Sequence, residues 1–236
     1  MLVTAAFVII GDEVLSGRTV DKNLNFLAKE LTAMGINLKE VRVVSDDEDE
    51  IILAVNSLRK KHNYVFTSGG IGPTHDDITS ESIAKAFDDE LIKNDEAEKI
   101  LIDHYGAENV NESRLKMAFV PRKASLLDNP VSSAPGFIIE NVIVMAGVPK
   151  IMQEMFFAAS KNLVGGDKIV SKEIRVNLTE SLLARDLAIL QKEFINVSMG
   201  SYPFEGGTAL VFRSVDLANI ELATQKMNQI IKNLND

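Results

Sequence analysis

Apolar β-type runs alternate with helix-period stretches through the first eighty residues, and that alternation admits few folds. Residues 2–10 form a nearly unbroken apolar run, the pattern of a strand buried on both faces of a parallel sheet. A Gly-Asp-Glu turn follows. Leu24, Leu27, Ala28, Leu31 and Met34 then recur at helical spacing, with Gly35 as the stop. Ile36–Val44 reads as a second strand, Ser45 with Glu48 as a capping box, and Ile51, Ile52, Val55 and Leu58 as the apolar face of a second helix. Tyr64–Ser68 is a third strand, broken by Gly69-Gly70. The order β-α-β-α-β predicts a mostly parallel sheet with helices on both faces, joined by right-handed crossovers.

The rest of the chain is less regular. Helices are expected over residues 80–87, Asp95–Tyr105 and 111–117, a long loop over 120–135, and a hairpin of 137–140 with 142–146. A helix over 148–163 carries Pro149 near its first turn, where proline is tolerated. Gly165-Gly166 marks a boundary, giving domains 1–165 and 166–236. Beyond it strands over 169–176, 195–200 and Gly207–Ser214, with helices over 179–194 and 217–234, form a β-α-β-β-α unit. That unit predicts a small open-faced α/β domain.

Composition removes several classes of function. The 236 residues contain no cysteine, so disulfides, thiolate metal sites and thiol nucleophiles are excluded. His62, His75 and His104 are scattered and lack metal-site spacing. Lys plus Arg number 25 against 34 Asp plus Glu, a net charge of −9, which opposes nucleic-acid binding. The C-terminal layout is reminiscent of KH-type RNA modules, but it has no basic Gly-x-x-Gly loop. The apolar start is too short to cross a bilayer and lacks a basic leader. A soluble, cytoplasmic protein with no membrane partner is expected.

The densest chemical signal is Thr67-Ser68-Gly69-Gly70-Ile71-Gly72-Pro73-Thr74-His75-Asp76-Asp77-Ile78-Thr79, between the third strand and a helix. Ligands of open α/β sheets bind beyond the carboxyl ends of strands. Gly69, Gly70 and Gly72 let backbone N–H groups approach phosphate oxygens, and Thr67, Ser68 and Thr74 add hydroxyls. The segment is neither a P-loop nor a dinucleotide fingerprint. Asp76 and Asp77 do not suit a bare phosphate cradle; a cation between carboxylate and phosphate resolves the conflict. The competing explanation is that one of them caps the next helix. Gly11-Asp12-Glu13 and Ser45-Asp46-Asp47 end the first two strands, so three acidic clusters meet at one rim. Such an all-oxygen site suits Mg²⁺, with Mn²⁺ or Co²⁺ as substitutes. The acidic run 46–50 also sits where a helix dipole favours carboxylates. Ser132, Ser133, Pro135 and Gly136, and Pro149 in Gly147-Val148-Pro149, would supply backbone donors to a second part of a ligand, although each alone is turn punctuation.

Residues 10–18 (Ile-Gly-Asp-Glu-Val-Leu-Ser-Gly-Arg), 67–79, 129–137 and 147–149, in that order, resemble the molybdopterin-binding (MoaB/Mog-like) domain. The form is that of CinA-type proteins and of the N-terminal half of eukaryotic FAD synthase, toward which Gly200-Ser201-Tyr202-Pro203 also points. The resemblance implies a three-layer α/β/α fold over about residues 1–165 and an active site at the glycine-rich loop. It also implies that Asp46 and Asp77 match aspartates used by molybdopterin adenylyltransferases. CinA and FAD synthase relatives are implied to hydrolyse the diphosphate of ADP-ribose or FAD with a divalent cation and potassium. The sequence departs from the usual pattern at Ser132-Ser133-Ala134, where Gly-Thr-Ala is commoner, and at Ala146-Gly147, where Pro-Gly is commoner. Neither nicotinamide-mononucleotide deamidation nor FAD synthesis is expected of these 236 residues.

The expected function is therefore a metal-dependent pyrophosphatase. Asp46, Asp76 and Asp77 would be its catalytic residues; these three with Asp12 would hold metal. Gly11, Asp12, Glu13, Pro73 and the glycine loop would bind substrate. A molybdopterin-binding or adenylyl-transferring protein and a non-catalytic nucleotide-binding protein remain open alternatives. A homo-oligomer, dimer or trimer, is expected.

Overall fold

The structure is a computed structural model that describes residues 2–235. The chain divides into two compact units, 1–166 and 167–236.

In the first unit, strands β1 (Val3–Ile10), β2 (Ile36–Val44), β3 (Tyr64–Ser68), β6 (Ser125–Leu127), β7 (Gly136–Ile139) and β8 (Val142–Met145) form one sheet. Their order is β2-β1-β3-β8-β7-β6. The four strands β2, β1, β3 and β8 run parallel, and β7 and β6 add an antiparallel edge. Helices α2 (Asn23–Ala33) and α7 (Pro149–Ser160) cover one face. Leu27, Leu31, Met152, Met155 and Phe156 pack there on Phe7, Ile9 and Phe66. Helices α3 (Glu48–Arg59) and α4 (Thr79–Ala86) cover the other, where Ile51, Val55, Leu58 and Ile83 pack on Ala6, Val8 and Val65. Burial on both faces explains why β1 reads as continuous apolar sequence. This is the three-layer α/β/α architecture.

The first connection leads from β1 to β2 on one side, and the next returns to β3 on the other, so the topological switch point lies between β1 and β3. Register brings the strand ends level: Ile10 pairs with Val44, Ile9 with Ser68, and Ser68 with Met145. The loops after all four parallel strands therefore leave the sheet at one rim.

Several local details differ from the sequence expectations. The turn after β1 is a one-turn helix, α1 (Asp12–Leu15). The cap of α3 is Asp47, whose Oδ1 accepts from Glu50 N at 3.1 Å, and not Ser45. The reason is that β2 runs through Val44, and Ser45 and Asp46 make the turn before Asp47 caps the helix. The expected 120–135 loop contains β6, which pairs with β7, and the end of β5 (Phe119–Pro121), which pairs with β4 (Leu91–Lys93). Strands of three residues are too short to show a period. Between β4 and β5 lie α5 (Asp95–Tyr105) and α6 (Glu112–Lys116). Here Ala97, Leu101 and Ala118 form a satellite core with Tyr105, Leu115, Met117 and Ala134.

The second unit is a three-stranded antiparallel sheet, order β10-β11-β9, from β9 (Val170–Val176), β10 (Ser198–Phe204) and β11 (Gly207–Ser214). Helices α8 (Glu180–Glu193) and α9 (Leu217–Asn235) cover one face, around Leu183, Leu210, Phe212 and Met227. Strand β10 lies later than expected, because Gly200-Ser201-Tyr202-Pro203 belongs to it rather than ending it. Pro203 is tolerated on this edge strand, which needs no N–H on its outer side.

Candidate functional site

Two bonds extend the parallel ladder past the strand ends and place the glycine-rich turn. Gly69 N donates to Met145 O and Gly11 N to Val44 O, both at 3.1 Å. Gly69 and Gly70 then adopt φ of +108° and +67°. A Cβ on Gly69 would strike the Ile10 carbonyl, and one on Gly70 the Thr79 hydroxyl. Only glycine meets both demands without strain. Thr79, fully buried, clasps this turn: its N donates to Gly70 O and its Oγ1 to Gly69 O, each at 2.9 Å.

A cleft of about 720 Å³ opens over this turn. Its walls include Gly69, Gly70, Gly72 and Pro73, four carboxylates, Glu13, Asp46, Asp76 and Asp77, and the 147–149 loop. The α5–α6 segment between β4 and β5 contributes Tyr105, Arg114 and Met117, and the 129–134 segment contributes Asn129, Ser132 and Ala134.

The aspartates do not cap α4. Its N-cap is Ile78, with no side-chain cap bond. Asp77 instead folds back within the loop, where Oδ2 accepts from Thr74 N at 2.8 Å and from the Thr74 hydroxyl. Asp76 is exposed, and its carboxyl is held below the usual range, first by the Thr74 hydroxyl and then by its own backbone N–H. Asp46 goes the other way. Burial raises its carboxyl first, and Glu13, Asp12 and Asp76 add repulsion, against one bond from Asp12 N to Asp46 Oδ2 at 3.0 Å. A carboxylate so placed favours a proton or a cation over free charge.

Among the described residues no three His, Asp or Glu side chains gather closely enough to hold a metal alone. The four-aspartate set Asp12, Asp46, Asp76 and Asp77 is thus not a closed cage. Asp46, Asp76 and Asp77 line the cleft and Asp12 does not; carboxylate oxygens are donors of the kind a divalent ion would take beside ligand phosphate and water.

The remaining sequence candidates fall around this cleft. Pro149 lines it, as the first residue of α7. Gly11 is buried beneath it, and Asp12 is exposed but does not line it. Thr67 and Ser68 are buried in β3 and aim no hydroxyl into the cleft; Ser68 borders a separate cavity of about 50 Å³. Thr74 lines a second cavity of about 700 Å³ on the far side of the 72–77 loop, with His75, whose side chain is exposed. Ser133 lies at φ +62° with its hydroxyl 3.0 Å from His104 Nδ1, and Pro135 and Gly136 are buried below the rim.

Sequence reasoning passed over Tyr105, Arg114, Met117, Asn129 and Thr79. Asn129 had a local signal. It is 3% exposed and serves as the hub of its loop, donating to Ser132 Oγ and Ala134 O and accepting from Val131 N and Ser132 N. An asparagine two residues before a Val-Ser-Ser run is an Asx-turn pattern.

A doubly wound sheet with a glycine-rich, acid-walled cleft at its switch point defines a small-molecule-binding α/β domain. Residues 6–188 match the family described as "Probable molybdopterin binding domain", and the chain belongs to that family. Residues 168–234 match the family described as "FAD synthase, middle domain". A protein named "Probable FAD synthase" from Caenorhabditis briggsae is 36% identical over 226 residues, covering 85% of this chain but only 43% of its own. Protein Ta0487 of Thermoplasma acidophilum is 34% identical and spans 92% of this chain and 84% of its own. The crystal structure of "the protein CinA with unknown function" from Thermoplasma acidophilum superposes with a TM-score of 0.65 at 37% identity, over 67% of this chain and 96% of that one. Among the described residues no helix is long and apolar enough to cross a membrane.

Proposed function

We propose that the chain is a nucleotide pyrophosphatase that cleaves the diphosphate of FAD or ADP-ribose, assisted by a divalent cation. One observation carries the reading: Asp76 and Asp77 face the same cleft as Glu13 and Asp46, and neither caps the helix that follows. Helix capping would have explained an aspartate there, and it is not what either does; Asp77 closes its own loop on Thr74 while still lining the cleft. The volume, about 720 Å³, suits a nucleotide-sized ligand. The likeness to proteins named FAD synthase supports a flavin-nucleotide ligand and an enzymatic role.

In this reading the Gly69–Gly72 backbone receives the diphosphate oxygens. Asp46 and Asp77 hold the cation with Asp76 beside them. When bound, that cation offsets charge on the diphosphate oxygens, the main lever in phosphoryl transfer. Asp76, exposed at the cleft wall, orients the attacking water. Water adds to one phosphorus, the bridging P–O bond breaks, and AMP leaves with the other phosphomonoester, FMN or ribose 5-phosphate.

A second reading is favoured by the family description itself: the cleft binds molybdopterin or transfers AMP to it. Product chromatography separates the two. The pyrophosphatase reading expects AMP from FAD or ADP-ribose with Mg²⁺, Mn²⁺ or Co²⁺ and potassium, and none in chelator. Pyrophosphate released only when ATP and molybdopterin are both present, with FAD and ADP-ribose intact, would replace it with the second. Light scattering at several concentrations tests the expected dimer or trimer; a monomer throughout would refute it.

A further inference from the structure

We propose that Arg114 is the cation that receives the ligand's phosphate in this cleft, held in place by Tyr105 on the α5–α6 segment between β4 and β5. The assignment rests on the nucleotide reading of the site and adds a recognition residue outside its glycine loop.

The charge pattern calls for such a group. Among the described residues lining the cleft, Glu13, Asp46, Asp76 and Asp77 stand against one cationic side chain, Arg114. An arginine near four carboxylates would be expected to pair with one. Yet among the described residues Arg114 forms no ion pair. Its charge is left for something that enters the cleft.

The guanidinium is also preorganised. Its NH1 donates to Asn109 O at 2.6 Å, and its Cζ lies 4.3 Å from the centre of the Tyr105 ring. One bond and one stacked face fix the plane of the fork, which lowers the entropy lost on binding an anion. Asn111 Oδ1 accepts from Arg114 N at 3.0 Å and starts α6 there. Lys116 Nζ, two residues on, donates to Thr74 O and ties α6 to the glycine-rich loop. Arg114 and the loop thus form two walls of one site. The ligand class is a nucleoside diphosphate or its ester, with phosphate oxygens on the guanidinium fork.

Calorimetric titration with ADP and with adenosine, in Mg²⁺, tests this without any turnover. Wild type is expected to bind ADP more tightly than adenosine. Arg114→Gln is expected to lose about ten- to hundredfold of ADP affinity with adenosine affinity unchanged. Arg114→Lys, which keeps the charge but not the fork, is expected to retain part of the preference. An unchanged ADP-to-adenosine ratio in a folded Arg114→Gln would overturn the assignment. Should Arg114→Gln melt early, Arg114→Lys decides: an ADP preference reduced but not lost supports the assignment, and an unchanged preference or equal loss of both ligands refutes it. Wild type that binds ADP but leaves FAD and ADP-ribose intact sinks the pyrophosphatase reading, while the ratio still judges Arg114.

Discussion

Asp46 carries a conflict at the scale of a single residue. Burial and three neighbouring carboxylates oppose its charge, and one backbone N–H favours it. Residues kept in such positions are enriched at functional sites. Asp46→Asn should therefore abolish cleavage while leaving the thermal midpoint at pH 7 in metal-free buffer equal to or above that of wild type. An asparagine oxygen can still accept from Asp12 N, and the repulsion is gone. A clear fall in midpoint on calorimetry would show that the carboxylate is structural. Gly69→Ala should behave in the opposite manner. A side chain at φ +108° that strikes the Ile10 carbonyl should cost about 2 kcal/mol or more, read by denaturant unfolding. A cost near zero would mean that the turn is freely remade. The glycines and aspartates were legible in the sequence because each cluster directly follows an apolar run. Arg114 and Tyr105 were not. They lie about thirty to forty residues beyond the glycine loop and reach it through a satellite core whose members show no shared local period.

At the scale of elements, two loops depend on one side chain each. Asn129 makes the four bonds that shape 129–134. Asn129→Ala should cost about 1–3 kcal/mol, since it leaves buried groups unpaired. It should also raise KM for the nucleotide more than it lowers kcat. A wild-type KM with lost stability would place the loop outside the ligand site. Asp89 joins β4 to the turn after β5. Its Oδ2 accepts from Lys123 N at 2.8 Å, and that bond is the first cause holding its carboxyl below the usual aspartate range. Its contribution to stability is then full above the unfolded pKa of about 4 and is lost as pH falls through the lower folded value. Asp89→Asn should narrow the stability gap between pH 7 and pH 3; an identical pH profile would contradict this. The sequence showed the long helices and parallel strands because their periods run over many residues. Strands β4, β5 and β6, three residues each, are held by partners far along the chain, and their own side chains carry no such signal.

For the whole molecule, each unit has its own core: two helix layers on the six-stranded sheet, and one helix layer on the three-stranded sheet. Every residue that lines the cleft lies within 1–166. A fragment of those residues should fold cooperatively and keep nucleotide cleavage, as checked by calorimetry and product chromatography. Folding without cleavage would show that residues 167–236 take part in the reaction. The α/β class, the small β-α-β-β-α tail and the β7–β8 hairpin were readable from the order of elements, whereas the outermost strand β6 is placed by its pairing with β7 across the 128–135 loop. The claim on which the account turns is that the carboxylates over the glycine loop perform chemistry with a cation. The direct measurement is AMP release from FAD and ADP-ribose across a Mg²⁺ titration, for wild type and Asp77→Asn, with the melting midpoint of each. Saturable, Mg²⁺-dependent AMP is expected from wild type and none from Asp77→Asn, whose amide oxygen still closes the loop on Thr74 and holds the midpoint near wild type. Equal release from both proteins, or intact nucleotide at every Mg²⁺ concentration, would contradict it.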